Sequence, residues 1–189
     1  MKTISLILLT FSLLAVSQVQ AKKAVIDTVA STIMWTGKKV GGQHQGTINL
    51  KSGELKIEGN SIEGGTFIID MNSIKDTDLT DPSYNAKLVG HLKSDDFFSV
   101  EKFPEAKFVI TKTTKSTGNQ QTITGNMTIK GITHPVSFEV QKSGNTYEAH
   151  IIVDRSKYNV RYGSNSFFDN LGNKVIDNNF LLDVTLAVK

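Results

Sequence analysis

A chain of 189 residues, 39% of them hydrophobic, has the size and composition of one domain around a single core. Its 21 basic and 18 acidic side chains give a formal charge of only +3, and the basic residues are scattered among Thr, Ser and Asn, which argues against nucleic acid as a partner. Cysteine is absent, which excludes disulfides and thiol nucleophiles.

The first residues read as a secretory signal. Lys2 supplies a positive start, Ile4 to Val16 is apolar apart from small hydroxyl residues, and Val19-Gln20-Ala21 offers small or β-branched side chains where a signal peptidase inspects the chain. The expected division is a signal peptide over 1–21 and a single domain over 22–189. The apolar run is shorter than the ~20 residues that span a bilayer, and no later run is longer, so no stable membrane insertion is expected after cleavage. A lipoprotein would need Cys as its first mature residue, and Lys22 stands there. The expected location is the periplasm or the exterior.

From there the dominant signal is period-2 alternation, the mark of half-buried strands. Ile33, Trp35 and Gly37 share one face, followed by a Gly41-Gly42 turn. His44, Gly46, Ile48 and Leu50 share the next, with turn signals at Ser52-Gly53 and Gly59-Asn60. Phe67, Ile69 and Met71 form a third row. The pattern then breaks. Pro82 opens a stretch in which Leu88, Leu92 and Phe97 recur at helical spacing, so one short helix and a helical turn are predicted between Asp81 and Val100, with an apolar face that caps one barrel end. Alternation resumes with Ala106, Phe108 and Ile110, then Ile123, Met127 and Ile129, then Val136, Phe138 and Val140. It continues with Tyr147, Ala149, Ile151 and Val153, and ends with Phe180 to Val188. Turns at Thr117-Gly118-Asn119, Gly131 and Ser143-Gly144-Asn145 separate most neighbours by a few residues, which implies antiparallel hairpins. About eight short strands with one inserted helix predict an all-β barrel or sandwich.

Polar residues on an apolar face carry the most information. Arg155 continues the row of Ile151 and Val153. A buried guanidinium needs a carboxylate, backbone carbonyls or a ligand's polar head. Two readings therefore stand for it: a structural partner, or a polar anchor for ligand. His44 and Trp35 each have a packing reading and a pocket-mouth reading.

Local catalytic motifs are missing. No Gly-x-Ser-x-Gly elbow or phosphate loop occurs, and His44, His91, His134 and His150 lack zinc-like spacing. Asp76, Asp78 and Asp81 fail the EF-hand template, which needs Gly where Asp81 stands and Glu where Lys87 stands. A polar loop capping the next helix explains them more simply. His91 is expected to bond the nearby Asp95-Asp96-Phe97-Phe98 turn.

Three motifs resemble the YceI-like family. They are His91-Leu-Lys-Ser-Asp-Asp-Phe-Phe98 with Phe103-Pro104-Glu105-Ala106-Lys107-Phe108; Gly125-Asn-Met-Thr-Ile-Lys-Gly131 with Thr133, Pro135 and Val136; and Asp154-Arg155-Ser156-Lys157-Tyr158. The match runs from about Ile26 to Val188. The resemblance implies an extended eight-stranded antiparallel, lipocalin-like β-barrel. It also implies a long-chain lipid ligand of polyisoprenoid, quinone-like or fatty-acyl type. With the local motifs missing, no catalysis, cofactor or metal is expected. Residues expected around such a lipid are Trp35, His44, Phe67, Ile69, Phe108, Ile110, Met127, Ile129, Phe138, Val153, Arg155 and Tyr158. Two other functions stay open, a stress-related barrel with a filled core and an enzyme of isoprenoid-lipid metabolism, as does assembly into a homodimer.

Overall fold

The computed structural model describes residues 21–189; the expected signal peptide, but for Ala21, lies outside the described residues. Eight antiparallel strands follow one another around a closed barrel, each bonded to the next and the last to the first. They are β1 (Lys22–Lys39), β2 (Gly42–Glu58), β3 (Ser61–Asp76), β4 (Glu105–Thr113), β5 (Gln120–Ile129), β6 (Ile132–Ser143), β7 (Thr146–Asp154) and β8 (Ile176–Val188). The all-β, lipocalin-like expectation therefore holds. Closure runs through β1 and β8, with Ile26 opposite Val188, Trp35 opposite Leu182 and Gly37 opposite Phe180. Among the described residues no helix is long and apolar enough to cross a membrane.

The strands are longer than the alternating runs suggest, because bulges join them. In β1 the register shifts between Asp27 and Thr32. The Asp27 carboxylate accepts from the Val29 and Ala30 N–H groups, and Val29 is thrown outward to 94% exposure. Five residue steps of β1, from Asp27 to Thr32, stand against two of β8, from Ala187 to Thr185, and this odd excess reverses the parity beyond, so Ile26 and Ile33 both face inward although seven residues apart. Ser52-Gly53 is a correction of the same kind. β2 runs straight through it, with a register shift between Leu50 and Ser52, so the expected turn is a bulge. Gly53 is there because space is lacking: a Cβ would lie 2.9 Å from the Phe67 ring and 3.0 Å from Ile26. The true turn is the next one, at Gly59-Asn60.

The helix α1 (Pro82–Lys93) forms where predicted. Asp81 caps it by accepting from the N–H groups of Ser83 and Tyr84, and Pro82 opens the first turn, where its missing N–H costs nothing. The expectation that its apolar face plugs the barrel is corrected. No α1 residue is buried. Leu92 reaches the lumen from its last turn, but most of the cap comes from Phe97 and Phe98 in the following turn, held by Phe97 N–H to Ser94 O and Phe98 N–H to Leu92 O. His91 does meet that turn, lying 3.8 Å from Asp96 and edge-on to the Phe97 ring.

One barrel seam is short. β6 and β7 pair only over Val140–Ser143 and Thr146–Ala149. Beyond that, a single 3-10 turn over Arg155–Tyr158 packs against β6, with Tyr158 edge-on to His134 at 5.4 Å. Gly46 marks another close approach, between β2 and the end of β3. A Cβ there would lie 1.8 Å from the Lys75 carbonyl oxygen and 2.7 Å from the Trp35 ring. Replacement Gly46→Ala is expected to lower stability by at least about 1–3 kcal/mol through overpacking. Thermal melts check this, since an unchanged midpoint would mean that the contact relaxes freely.

Candidate functional site: an apolar lumen

Because the sheet closes, one face of every strand must look into the barrel, and these faces enclose a cavity of about 200 Å³. Its wall is almost wholly aliphatic and aromatic. Along β7 the lining runs from Tyr147 through Ala149 and Ile151 to Arg155 just past the strand end. At roughly 3.3 Å per residue that is about 26 Å of strand, or about 20 Å along the axis once the usual barrel tilt is allowed for. Aromatic contacts brace one side, with Phe67 stacked against Phe108 at 6.4 Å and Phe138 at 5.4 Å from Phe108.

Of the residues singled out from sequence, Trp35, Phe67, Ile69, Phe108, Ile110, Met127, Ile129, Phe138 and Arg155 line this cavity. His44, Val153 and Tyr158 do not. Val153 is almost fully buried in the core beside it. Tyr158 is equally buried, under β6, and its hydroxyl has no hydrogen-bond partner among the described residues. His44 turns toward Asp78, with 3.0 Å between its Nδ1 and Oδ2. Bulges hid further lining residues from a parity reading, among them Leu55, Ile62 and Ile74. Phe97 and Phe98 were hidden because they belong to a turn rather than a strand.

The two ends close differently. At the end of the hairpin turns Gln121 acts as a floor stitch: its Oε1 accepts from Ile62 N–H, and its Nε2 donates to the carbonyls of Ile62 and Thr114. Sequence carried the signal, since Gln121 shares the inward parity of Ile123. At the helix end, Trp35 donates its indole N–H to Lys75 O at 3.1 Å, and Arg155 lies with its guanidinium 5.5 Å from the Phe97 ring centre.

Arg155 is 3% exposed, and β7 ends just before it, at Asp154. Its Nε donates to Asp177 O, Nη1 to Val160 O and Tyr162 O, and Nη2 to Ile176 O, each at 2.9 Å. Four of the five guanidinium donors thus serve backbone carbonyls, and one Nη2 hydrogen is left for anything in the lumen. The geometry assigns Arg155 first to holding the 155–176 segment over the barrel mouth.

An antiparallel closed barrel of eight strands around an apolar lumen is the lipocalin-like class of protein. Residues 25–188 match the YceI-like domain family, and the chain belongs to that family. A UPF0312 protein of Shewanella denitrificans is 31% identical over 140 residues, 72% of this chain and 71% of that protein. Protein YceI of Salmonella arizonae is 36% identical over 88 residues, covering 42% of this chain and 45% of that one. Among solved structures, BcnA of Burkholderia cenocepacia aligns with a TM-score of 0.67 at 22% identity, covering 87% of this chain and 99% of that one. A polyisoprenoid binding domain from Saccharophagus degradans, implicated in plant cell wall breakdown, aligns with a TM-score of 0.62 at 15% identity, covering 88% and 97%.

Two outcomes follow from this geometry. Arg155→Leu strands four carbonyl groups at the mouth, and at about 1–3 kcal/mol for each buried unmet group the loss is expected to reach several kcal/mol, with Arg155→Lys restoring little because an ammonium cannot span the same fork. Chemical denaturation measures it, and a loss under about 1 kcal/mol would show that the carbonyls find water. Burial, helped by nearby Asp154, pushes the Tyr158 hydroxyl up to about 12 from its ordinary value of 10.0. The unfolded chain then gives up this proton at lower pH than the folded one, so Tyr158 weakens the fold as pH rises from about 10 to 12 and has no such effect below. Tyr158→Phe should flatten the stability profile across that window.

Proposed function

We propose that the barrel holds one long apolar chain, a polyisoprenoid, quinone-like or fatty-acyl molecule, for transport or storage in the periplasm or outside the cell, and that it catalyses no reaction. The observation that carries this reading is the lumen itself: about 200 Å³ of space whose lining, among the described residues, includes only two charged residues, Arg155 and Asp177, both at the helix end. Each buried methylene contributes roughly 0.8 kcal/mol, so a hydrocarbon tail binds there without directional contacts. The practical ceiling of about 0.3 kcal/mol per atom for large ligands keeps the total moderate. A multiply hydroxylated molecule would leave polar atoms unmet against this wall at about 1–3 kcal/mol each, so the site should select on length and width. Membership in the YceI-like family and the likeness to a neighbour described as a polyisoprenoid binding domain support the same ligand class. The signal-like residues 1–21 support export, and Lys22 in place of Cys supports a protein without a lipid tether. The lumen offers no paired acid and base, which favours a carrier over an enzyme.

Native mass spectrometry of gently purified protein, followed by solvent extraction, tests the proposal. The expected result is one co-purifying long-chain lipid per barrel. Ala149→Phe places a ring in the lumen and should lower lipid retention several-fold while the protein still melts cooperatively. A sugar, peptide or haem in the extract, or retention unaffected by the added ring, would overturn it.

A further inference from the structure

Beside the lumen, at the helix end, the fold gathers three side chains from three places. His44 comes from the start of β2, Asp76 from the last position of β3, and Asp78 from the loop leading to α1. Thr77 N–H donates to Gln45 O at 2.9 Å, and Gln45 N–H donates to Asp78 Oδ1 at 2.8 Å, so the loop is stitched to β2 with Asp78 beside His44. His44 Nδ1 and Asp78 Oδ2 stand 3.0 Å apart, and one ligand atom from each of the three residues lies within 4.8 Å of the other two.

Asp76 sets this group apart from an ordinary surface cluster. It is 7% exposed. Its Oδ1 accepts from Leu79 N–H at 2.9 Å and from the Asn85 amide at 3.1 Å, whereas its Oδ2, wholly buried, has no hydrogen-bond partner among the described residues. Two carboxyl groups and an imidazole thus converge around a buried acceptor that a shared proton or a bound cation would satisfy.

We propose that His44, Asp76 and Asp78 bind a divalent transition-metal ion, with zinc(II) the best match. One imidazole and two carboxylates suit a first-row divalent ion better than calcium, which takes six or more oxygens. Three protein ligands with water in a fourth position is a common zinc arrangement. Tetrahedral bonds of about 2.0–2.1 Å place ligand atoms about 3.3 Å apart, so the His44–Asp78 pair is already near that spacing and Asp76 closes in by a small rotation. The oxygens that would not bind metal are fixed from behind by Leu79 N–H, the Asn85 amide and Gln45 N–H, the outer contacts that orient ligands in such sites. Occupancy would tie α1, through Asn85, to the barrel wall. It would also stiffen Lys75, whose carbonyl holds Trp35 at the edge of the lumen.

The test uses chelator-treated mature protein titrated with zinc(II) by calorimetry and with cobalt(II) by visible absorption. One equivalent is expected, with tetrahedral cobalt bands and a higher melting temperature with zinc. Asp76→Asn, which keeps the shape of the side chain, and His44→Ala should each weaken binding by more than about 100-fold, beyond the loss typical of an outer contact. Their circular dichroism should match the parent. His150→Ala, at the exposed pair with Asp183, should bind as the parent does. No saturable binding, parent-like affinity in Asp76→Asn and His44→Ala, loss only in His150→Ala, or a response to calcium alone would each overturn the site.

Discussion

Closure of β1 onto β8 is the constraint on which the remaining structure depends. An open sheet of eight strands would present a row of unpaired backbone groups at each edge and would need a second layer to cover its apolar face. Closing it removes both edges and turns that face into a lumen. At eight strands the interior is wide enough that side chains do not always fill it. The cavity is thus a by-product of satisfying backbone hydrogen bonds, and its apolar character follows because the same residues are the hydrophobic core.

A barrel with a usable interior needs ends that are closed but not filled. The two ends solve this with different chemistry. Gln121 reaches across to the β3 backbone, replacing strand hydrogen bonds with side-chain ones where the hairpins begin. At the other end a chain segment without regular pairing crosses the mouth, and its carbonyls would be left without donors. Arg155 supplies those donors from a fixed fork, and the Phe97 ring beside it shares the same position. The helix itself contributes little burial. Its value lies in its caps and in delivering Phe97 and Phe98 to the opening.

The short seam between β6 and β7 shows the cost of curvature. Where the two strands part, the buried Tyr158 ring fills the space against His134 and its hydroxyl goes without a partner. A filled gap with one unmet hydroxyl costs less than an open slot in the wall, and the same compromise explains why burial raises the Tyr158 hydroxyl so far.

Alternation along Phe108 to Ile110, Ile123 to Ile129 and Tyr147 to Val153 was enough, by itself, to determine strands, their number and the apolar face of each, because side-chain direction has a strict period of two and these strands carry no bulge inside those runs. Asp81 followed by Pro82 likewise determined where α1 begins, since capping is a local interaction. The three motifs that resemble the YceI-like family placed the chain in it. What only the tertiary structure decided lies wherever the period is broken or partners are distant in sequence. The bulge at Leu50–Ser52 turned Leu55 inward and made Ser52-Gly53 part of a strand, and the shift at Asp27–Thr32 put Ile26 and Ile33 on one face. A bulge adds a residue without any strong sequence mark, so parity counted across it reads the wrong face. Arg155 was legible as inward but not as a clamp, because its four acceptors are backbone carbonyls, which carry no side-chain signature. His44 was legible as an odd residue on an apolar face. Its neighbours Asp76 and Asp78 come from some thirty residues away, and only the register of β2 on β3 brings them together.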